Sequence, residues 1–156
     1  MLKMIIRPAC VEDVDGIAAV IEPFVDDVIC SEEGRERFKP HMLKHIFERD
    51  LIHYFVAEIN QEIVGNVAYV HPAHLMHFFL KPEYHGQGFG RQMWEFIESE
   101  IMQHEPEHIT VNSSFYALEA LEIYKKFGFE IVGELTQQWG IHYIPMRKQV
   151  TKPIKH

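Results

Sequence analysis

The spacing of apolar positions along this chain alternates between a period of about 3.6 and a period of two, and each change marks an element. Residues 4–7 form a short β-run stopped by Pro8. Val14, Ile17, Ala18 and Ile21 then recur at i, i+3, i+4 and i+7, with Glu12 and Asp13 in the first turn, where a helix N-terminus favours anions. The spacing predicts an amphipathic helix ended by Pro23. From 24 to 49 the pattern is helical but broken at Gly34 and Pro40, with Met42, Leu43, Ile46 and Phe47 as a second apolar stripe. Residues 54–58 and 63–70 are β-rich runs joined by the polar turn Ile59-Asn60-Gln61-Glu62, and Gly65 inside the second marks a bulge or a close backbone approach.

Residues 75–80 (LMHFFL) are too apolar and too short for anything but a buried strand or a helix fragment. Phe78 and Phe79 decide for strand, and Pro82 closes it. Phe89, Met93, Phe96, Ile97 and Ile101 follow at helical spacing. Residues 109–111 read as a short strand, and Asn112-Ser113-Ser114 as the opening of a helix whose stripe is Tyr116, Ala120, Ile123, Tyr124 and Phe127, with Gly128 at its C-terminal cap. Residues 130–135 and 141–147 close the chain as a pair of strands. The order βααβββαβαββ predicts an α/β fold, a mixed sheet with helices on both faces.

Between the strand at 75–80 and the helix that follows lies His85-Gly86-Gln87-Gly88-Phe89-Gly90, three glycines at alternate positions. A helix start leaves its first N–H groups unpaired and carries a partial positive charge, and glycines there let a bulky anion approach the backbone. The loop reads as a phosphate cradle. It is not a Walker loop, because Arg91-Gln92 follows the last glycine, and it is not a GxGxxG fingerprint, because the third glycine comes one residue early.

At 156 residues the chain fits one domain over 1–150 with a short tail at 151–156. An apolar fraction of 47% and a charged fraction of 24% are those of an ordinary soluble globule. The net charge of −8, with basic residues grouped only in the tail, argues against nucleic acid as a partner and mildly favours cationic acceptors. Cys10 and Cys30 make no disulfide framework, residues 1–7 hold no signal-peptide core, and no apolar run is long enough to span a membrane. A cytoplasmic protein with no membrane partner is expected.

The strand, the proline and the glycine turn resemble the Gcn5-related N-acetyltransferase (GNAT) superfamily, whose pyrophosphate loop runs Arg/Gln-x-x-Gly-x-Gly/Ala. Gly88 and Gly90 fill the two small positions, and His85 stands where the family usually has Arg or Gln. Val111-Asn112-Ser113-Ser114 followed by Tyr124-Lys125-Lys126-Phe127-Gly128-Phe129 is similar to a second family pattern, with ten residues from Ser114 to Tyr124 where seven are usual. Ile141 to Met146 is similar to the family's final strand.

The resemblance implies the acyl-CoA N-acyltransferase fold, with a splayed central sheet, and transfer of an acetyl group from acetyl-CoA to a primary amine of a small molecule or peptide. It implies cofactor contacts from Phe78, Phe79 and Leu80, with an N–H near Phe79 or Leu80 polarising the thioester carbonyl. Further contacts come from His85, Gly86, Gln87, Gly88, Phe89, Gly90 and Arg91, and from Asn112 and Ser114. Tyr124 is implied as the acid that protonates the leaving sulfur, and His74, ahead of His77, as a base for the amine. A non-catalytic acyl-CoA-binding module with the same groove is the alternative. Homodimers are frequent in that family, so a second copy of the chain is a candidate partner.

No metal is expected. On a strand, spacing of three sends His74 to the face opposite His71 and His77, and the pair His41 and His45 lacks a third ligand. Asp26, Asp27, Glu32 and Glu33 are the acids available to hold a cationic amine.

Overall fold

A computed structural model describes residues 2–114 and 118–150. In chain order its elements are β1 (Met4–Pro8), α1 (Val14–Ile21), three short helices α2 (Val25–Val28), α3 (Glu32–Glu36) and α4 (Pro40–Leu43), β2 (Ile52–Ile59), β3 (Glu62–Val70), β4 (His74–Leu80), α5 (Phe89–Met102), β5 (His108–Ser113), α6 (Leu118–Lys126), β6 (Glu130–Ile131), β7 (Thr136–Gln138) and β8 (Ile141–Gln149). The sheet runs β1-β2-β3-β4-β5-β8-β6, with β7 paired to β8. Every pairing is antiparallel except β4 with β5.

The two apolar helix faces cover opposite faces of this sheet. Val14, Ile17 and Ile21 of α1 pack with Val56 and Ala68, while Met93, Ile97 and Ile101 of α5 pack with Val64, Val67, Leu75 and Ile109. Met93, Ile97 and Ile101 are fully buried, each contributing about 1.5–3 kcal/mol. Trp94 joins them, with its ring stacked on Phe127 at 5.0 Å. Arg7 ties β1 to the start of α1 through Asp13 (2.8 Å) and to β2 through Glu58. That guanidinium holds the Asp13 carboxyl down to about 2. Among the described residues no helix is long and apolar enough to cross a membrane.

Gly65 has both of its expected roles. The β2–β3 register shifts beside it, between Ala57 and Glu58, and a Cβ there would meet the Phe79 carbonyl oxygen at 3.0 Å and Met93 Sδ at 3.1 Å. Four local expectations are corrected. Pro23 does not end the helical path, because a 3-10 turn over Glu22–Phe24 accepts it at its first positions and leads into α2. Asn112 and Ser113 belong to β5, where β8 claims them as partners, and not to a helix start. On α6 the buried positions among the described residues are Leu121 and Tyr124, with Phe127 buried just past its end, while Ile123 is exposed and Tyr116 lies outside the described residues. Residues 130–135 do not form one strand; β6 stops at Ile131, and a Cβ on Gly133 would come within 2.5 Å of the Pro145 ring.

Candidate active site

The sheet opens in its middle. β4 and β5 are paired only at His74–Thr110 and Leu75–Val111, and beyond those residues they part. Two constraints pull them apart. The β3–β4 register slips between Ala68 and Tyr69, leaving Met76 as an extra residue in β4, and a bulge of this kind bends its strand. β5, for its part, stays in register with β8 along its whole length.

Hydrogen-bond alternation along the ladders fixes which peptide groups face the gap. Lys81 N–H donates to the Val64 carbonyl (2.8 Å), so Lys81, Phe79 and His77 turn their peptide groups to β3, and Phe78 and Leu80 turn theirs to the wedge. On the other side Thr110 N–H donates to the Ala73 carbonyl (3.0 Å), so the peptide group of Asn112, two residues on, also faces the wedge. The expectation that Phe79 offers its N–H is therefore corrected: β3 holds that face, and Phe79 reaches the cleft through its ring.

The wedge continues into a cleft of about 1480 Å³ whose mouth is the glycine turn. Gly86 (φ +75°) and Gly88 (φ +88°) are left-handed, a conformation that suits glycine, and a Cβ on either, or on Gly90, would meet nothing within 4 Å. No side chain caps the start of α5, so its first N–H groups stand open to the cleft mouth. His85 donates from Nε2 to the Leu80 carbonyl (2.7 Å) and stacks on Phe24, which pins the turn to the end of β4. Arg91 lines the mouth and pairs with Glu95 at 3.3 Å. Gln87 bonds back to the Glu83 carbonyl, and the Phe89 ring is buried in the core beside Tyr84, so neither side chain reaches the cleft.

Tyr124 stands on α6 with its ring edge-on to Phe78 (6.3 Å) and Phe129 (5.7 Å). The helix end holds it there. Gly128 N–H donates to the Lys125 carbonyl and Phe129 N–H to the Tyr124 carbonyl, a Schellman pair that needs the positive φ of Gly128 (+102°). The Tyr124 hydroxyl makes no hydrogen bond among the described residues. Burial pushes its pKa well above that of a free phenol, so it stays protonated. Ser114 also lines the cleft, and its Oγ donates to the Asp27 carbonyl (2.6 Å), tying the end of β5 to α2.

The histidines do not converge. His74 sits at the closed end of the wedge with Nδ1 2.7 Å from Thr110 Oγ1, and burial lowers its pKa. His77 points to the α1 side. Tyr54 Oη lies 2.7 Å from both Asn66 Nδ2 and His77 Nδ1. Burial holds the His77 ring neutral. His71 packs edge-on to His104, His41 pairs with Glu36 and His45 with Glu48. Among the described residues no three His, Cys, Asp or Glu side chains are grouped as a metal would require.

Burial takes the His77 pKa down to about 4, with Arg37 adding in the same direction. Between the unfolded value near 6.5 and about 4 the unfolded chain binds the extra proton, so stability is full above that window and falls with falling pH inside it, by about 1.4 kcal/mol per unit. His77→Gln, which can still accept from Tyr54, is expected to flatten the loss of urea-unfolding free energy between pH 6.5 and 4.5. The Asp13 contribution lies below that window. An unaltered slope would remove the buried, neutral histidine from the account.

Reasoning from sequence missed the wall opposite the wedge. Arg37, following α3, and Trp139, in the turn between β7 and β8, meet across the cleft, with the guanidinium carbon 5.7 Å from the indole centroid. A lone tryptophan in the polar run Thr136-Gln137-Gln138-Trp139-Gly140 was the available signal; it is 52% exposed.

Residues 26–150 match the model of the Acetyltransferase (GNAT) domain family. No curated protein matches the sequence. Among solved structures, the PaiA N-acetyltransferase of Thermoplasma acidophilum in complex with coenzyme A is similar at 20% identity and a TM-score of 0.75, over 95% of this chain and 99% of that one. A GCN5-related N-acetyltransferase from Rhodopseudomonas palustris is similar at 20% identity and a TM-score of 0.76, over 96% and 98%. A mutant of the spermidine N-acetyltransferase SpeG from Vibrio cholerae is similar at 17% identity and a TM-score of 0.67, over 94% and 93%. At these identities the likeness is one of fold.

Proposed function

The chain belongs to the acetyltransferase (GNAT) family, and from that premise we propose that it moves an acetyl group from acetyl-CoA to a primary amine by direct attack. The observation that carries this reading is the wedge: strands that part after two residue pairs, with open peptide groups on both sides and an unobstructed glycine turn at the mouth. An extended amide-bearing chain ending in phosphates fits such a groove, because its amides find peptide partners and its phosphates find helix N–H groups. Acyl-CoA, when bound, supplies the activated thioester.

The chain's own residues meet the other needs. The N–H groups of Phe78 and Leu80 and the peptide of Asn112 hold the amides and offer a donor where negative charge develops on oxygen. The open turn at Gly86, Gly88 and Gly90 receives phosphate, with Arg91 beside it. Tyr124 keeps a proton at the wedge for departing sulfur. In this reading His74 takes the tautomer that gives Nδ1–H to Thr110 Oγ1, 2.7 Å away, which leaves Nε2 for the amine's proton, and its lowered pKa keeps it neutral at pH 7. His77 is the poorer base, because Tyr54 occupies Nδ1 and burial takes its pKa down to about 4.

The test joins binding to turnover. Acetyl-CoA is expected to raise the melting temperature, and CoA release is expected with at least one class among amino acids, polyamines, aminoglycosides and peptides. Stabilisation without release from any amine would leave a binding module, and no stabilisation would remove the cofactor groove.

A further inference from the structure

The acids expected to hold a cationic amine are largely spent elsewhere. Arg35 draws Asp26 (2.5 Å) and Glu32 (3.7 Å) onto itself at the surface, and of the four acids only Asp27 lines the cleft. The wall made with Trp139 instead carries the guanidinium of Arg37; Arg49 lines the same cleft, as do Glu119, Glu122 and Lys126 on the α6 side. Among the described residues neither Arg37 nor Arg49 has a carboxylate partner, as is also true of Arg147 outside the cleft, whereas Arg7, Arg35 and Arg91 are paired.

Trp139 supports Arg37 through the face of its ring without neutralising it. Beside Arg37 stands the neutral His77 ring, with Nδ1 taken by Tyr54. Phe38 lies 6.1 Å from the His77 ring and Phe79 5.7 Å, so the surface around His77 is aromatic. A wall with a guanidinium beside a neutral imidazole and phenyl rings matches a planar anion on an apolar body. It matches a second ammonium poorly, since Arg37 would repel it.

Resting on the acetyltransferase reading, we infer that the acceptor is an amine that also carries a carboxylate, an apolar or aromatic amino acid, with Arg37 as the residue that selects it. Polyamines are disfavoured by the same wall.

The experiment compares matched acceptors at saturating acetyl-CoA: phenylalanine, phenylalanine amide, phenethylamine and spermidine, each with the wild-type chain, Arg37→Ala and Arg37→Lys. Wild type is expected to favour phenylalanine over phenethylamine by about 10–100-fold in kcat/KM, the range of one charged hydrogen-bond partner. Arg37→Ala is expected to bring that ratio close to one through a raised KM for phenylalanine, and Arg37→Lys to recover part of it. Equal or better turnover of phenethylamine or spermidine by wild type, or a ratio that survives Arg37→Ala, would overturn the acceptor class and leave the enzyme standing. Absence of CoA release from every amine would instead overturn the enzymatic reading, and the acceptor class with it.

Discussion

Tyr124→Phe is expected to lower kcat by about a hundredfold or more while leaving the fold and the KM for acetyl-CoA as they are. The two halves of that expectation have separate grounds. The hydroxyl makes no hydrogen bond among the described residues, so its removal breaks none, and the ring contacts with Phe78 and Phe129 survive in the variant. The change in unfolding free energy should stay within about 0.5 kcal/mol. A proton donor held in a desolvated wedge is worth far more to a departing thiolate than to the resting protein, and for that reason the loss falls on turnover. The direction of its pKa adds a check. In the proposed role the acid form is the active one, and burial raises the pKa above the usual phenol value, so Tyr124 should produce no alkaline limb below about pH 10. Full turnover by Tyr124→Phe with acetyl-CoA saturating would end its role.

What the sequence disclosed about this site depended on range. The strand at 75–80, the glycine turn and the helix after it are adjacent along the chain, and apolar spacing with turn chemistry was enough to place them. Gly128 was legible for the same reason, since a Schellman end is written within six residues. Phe79 was misassigned because the direction of a peptide group depends on register, and the register of β4 is set by a bulge at Met76 that no residue type announces. The start of α6 was misplaced because Asn112 and Ser113 look like helix caps, yet β8 offers them a ladder, and pairing outweighs a local preference. Ile123 was assigned to the core on spacing alone; Leu121 took the buried place.

The acceptor wall was out of reach because it is made by two segments a hundred residues apart, and its seam predicts the second large effect. Gly34 was read as a break in a helical pattern. Its function is contact: a Cβ there would lie 1.9 Å from the Gly140 carbonyl oxygen and 2.6 Å from its carbon, main-chain atoms that no rotamer can move aside. Around that contact Cys30 N–H donates to the same carbonyl (2.8 Å), and Ile29 bridges to Ile141.

Gly34→Ala must therefore push α3 away from the β7–β8 turn, break the Cys30 bond and part Arg37 from Trp139. The expected cost is about 1–3 kcal/mol of stability, read as a melting-temperature loss of about 2–4 °C for each kcal/mol. The acceptor KM should rise tenfold or more. Acetyl-CoA affinity should hold, because the β4–β5 wedge and the glycine turn make no use of this seam. Gly16→Ala on α1 is the matched control: its Cβ would meet Ile63 Cδ1 at 2.8 Å, the free end of a side chain that can turn, and a helix interior favours alanine. If Gly34→Ala keeps wild-type acceptor kinetics and melting temperature, the two segments are held together by something other than this glycine pair, and the wall they form has no claim to select the amine.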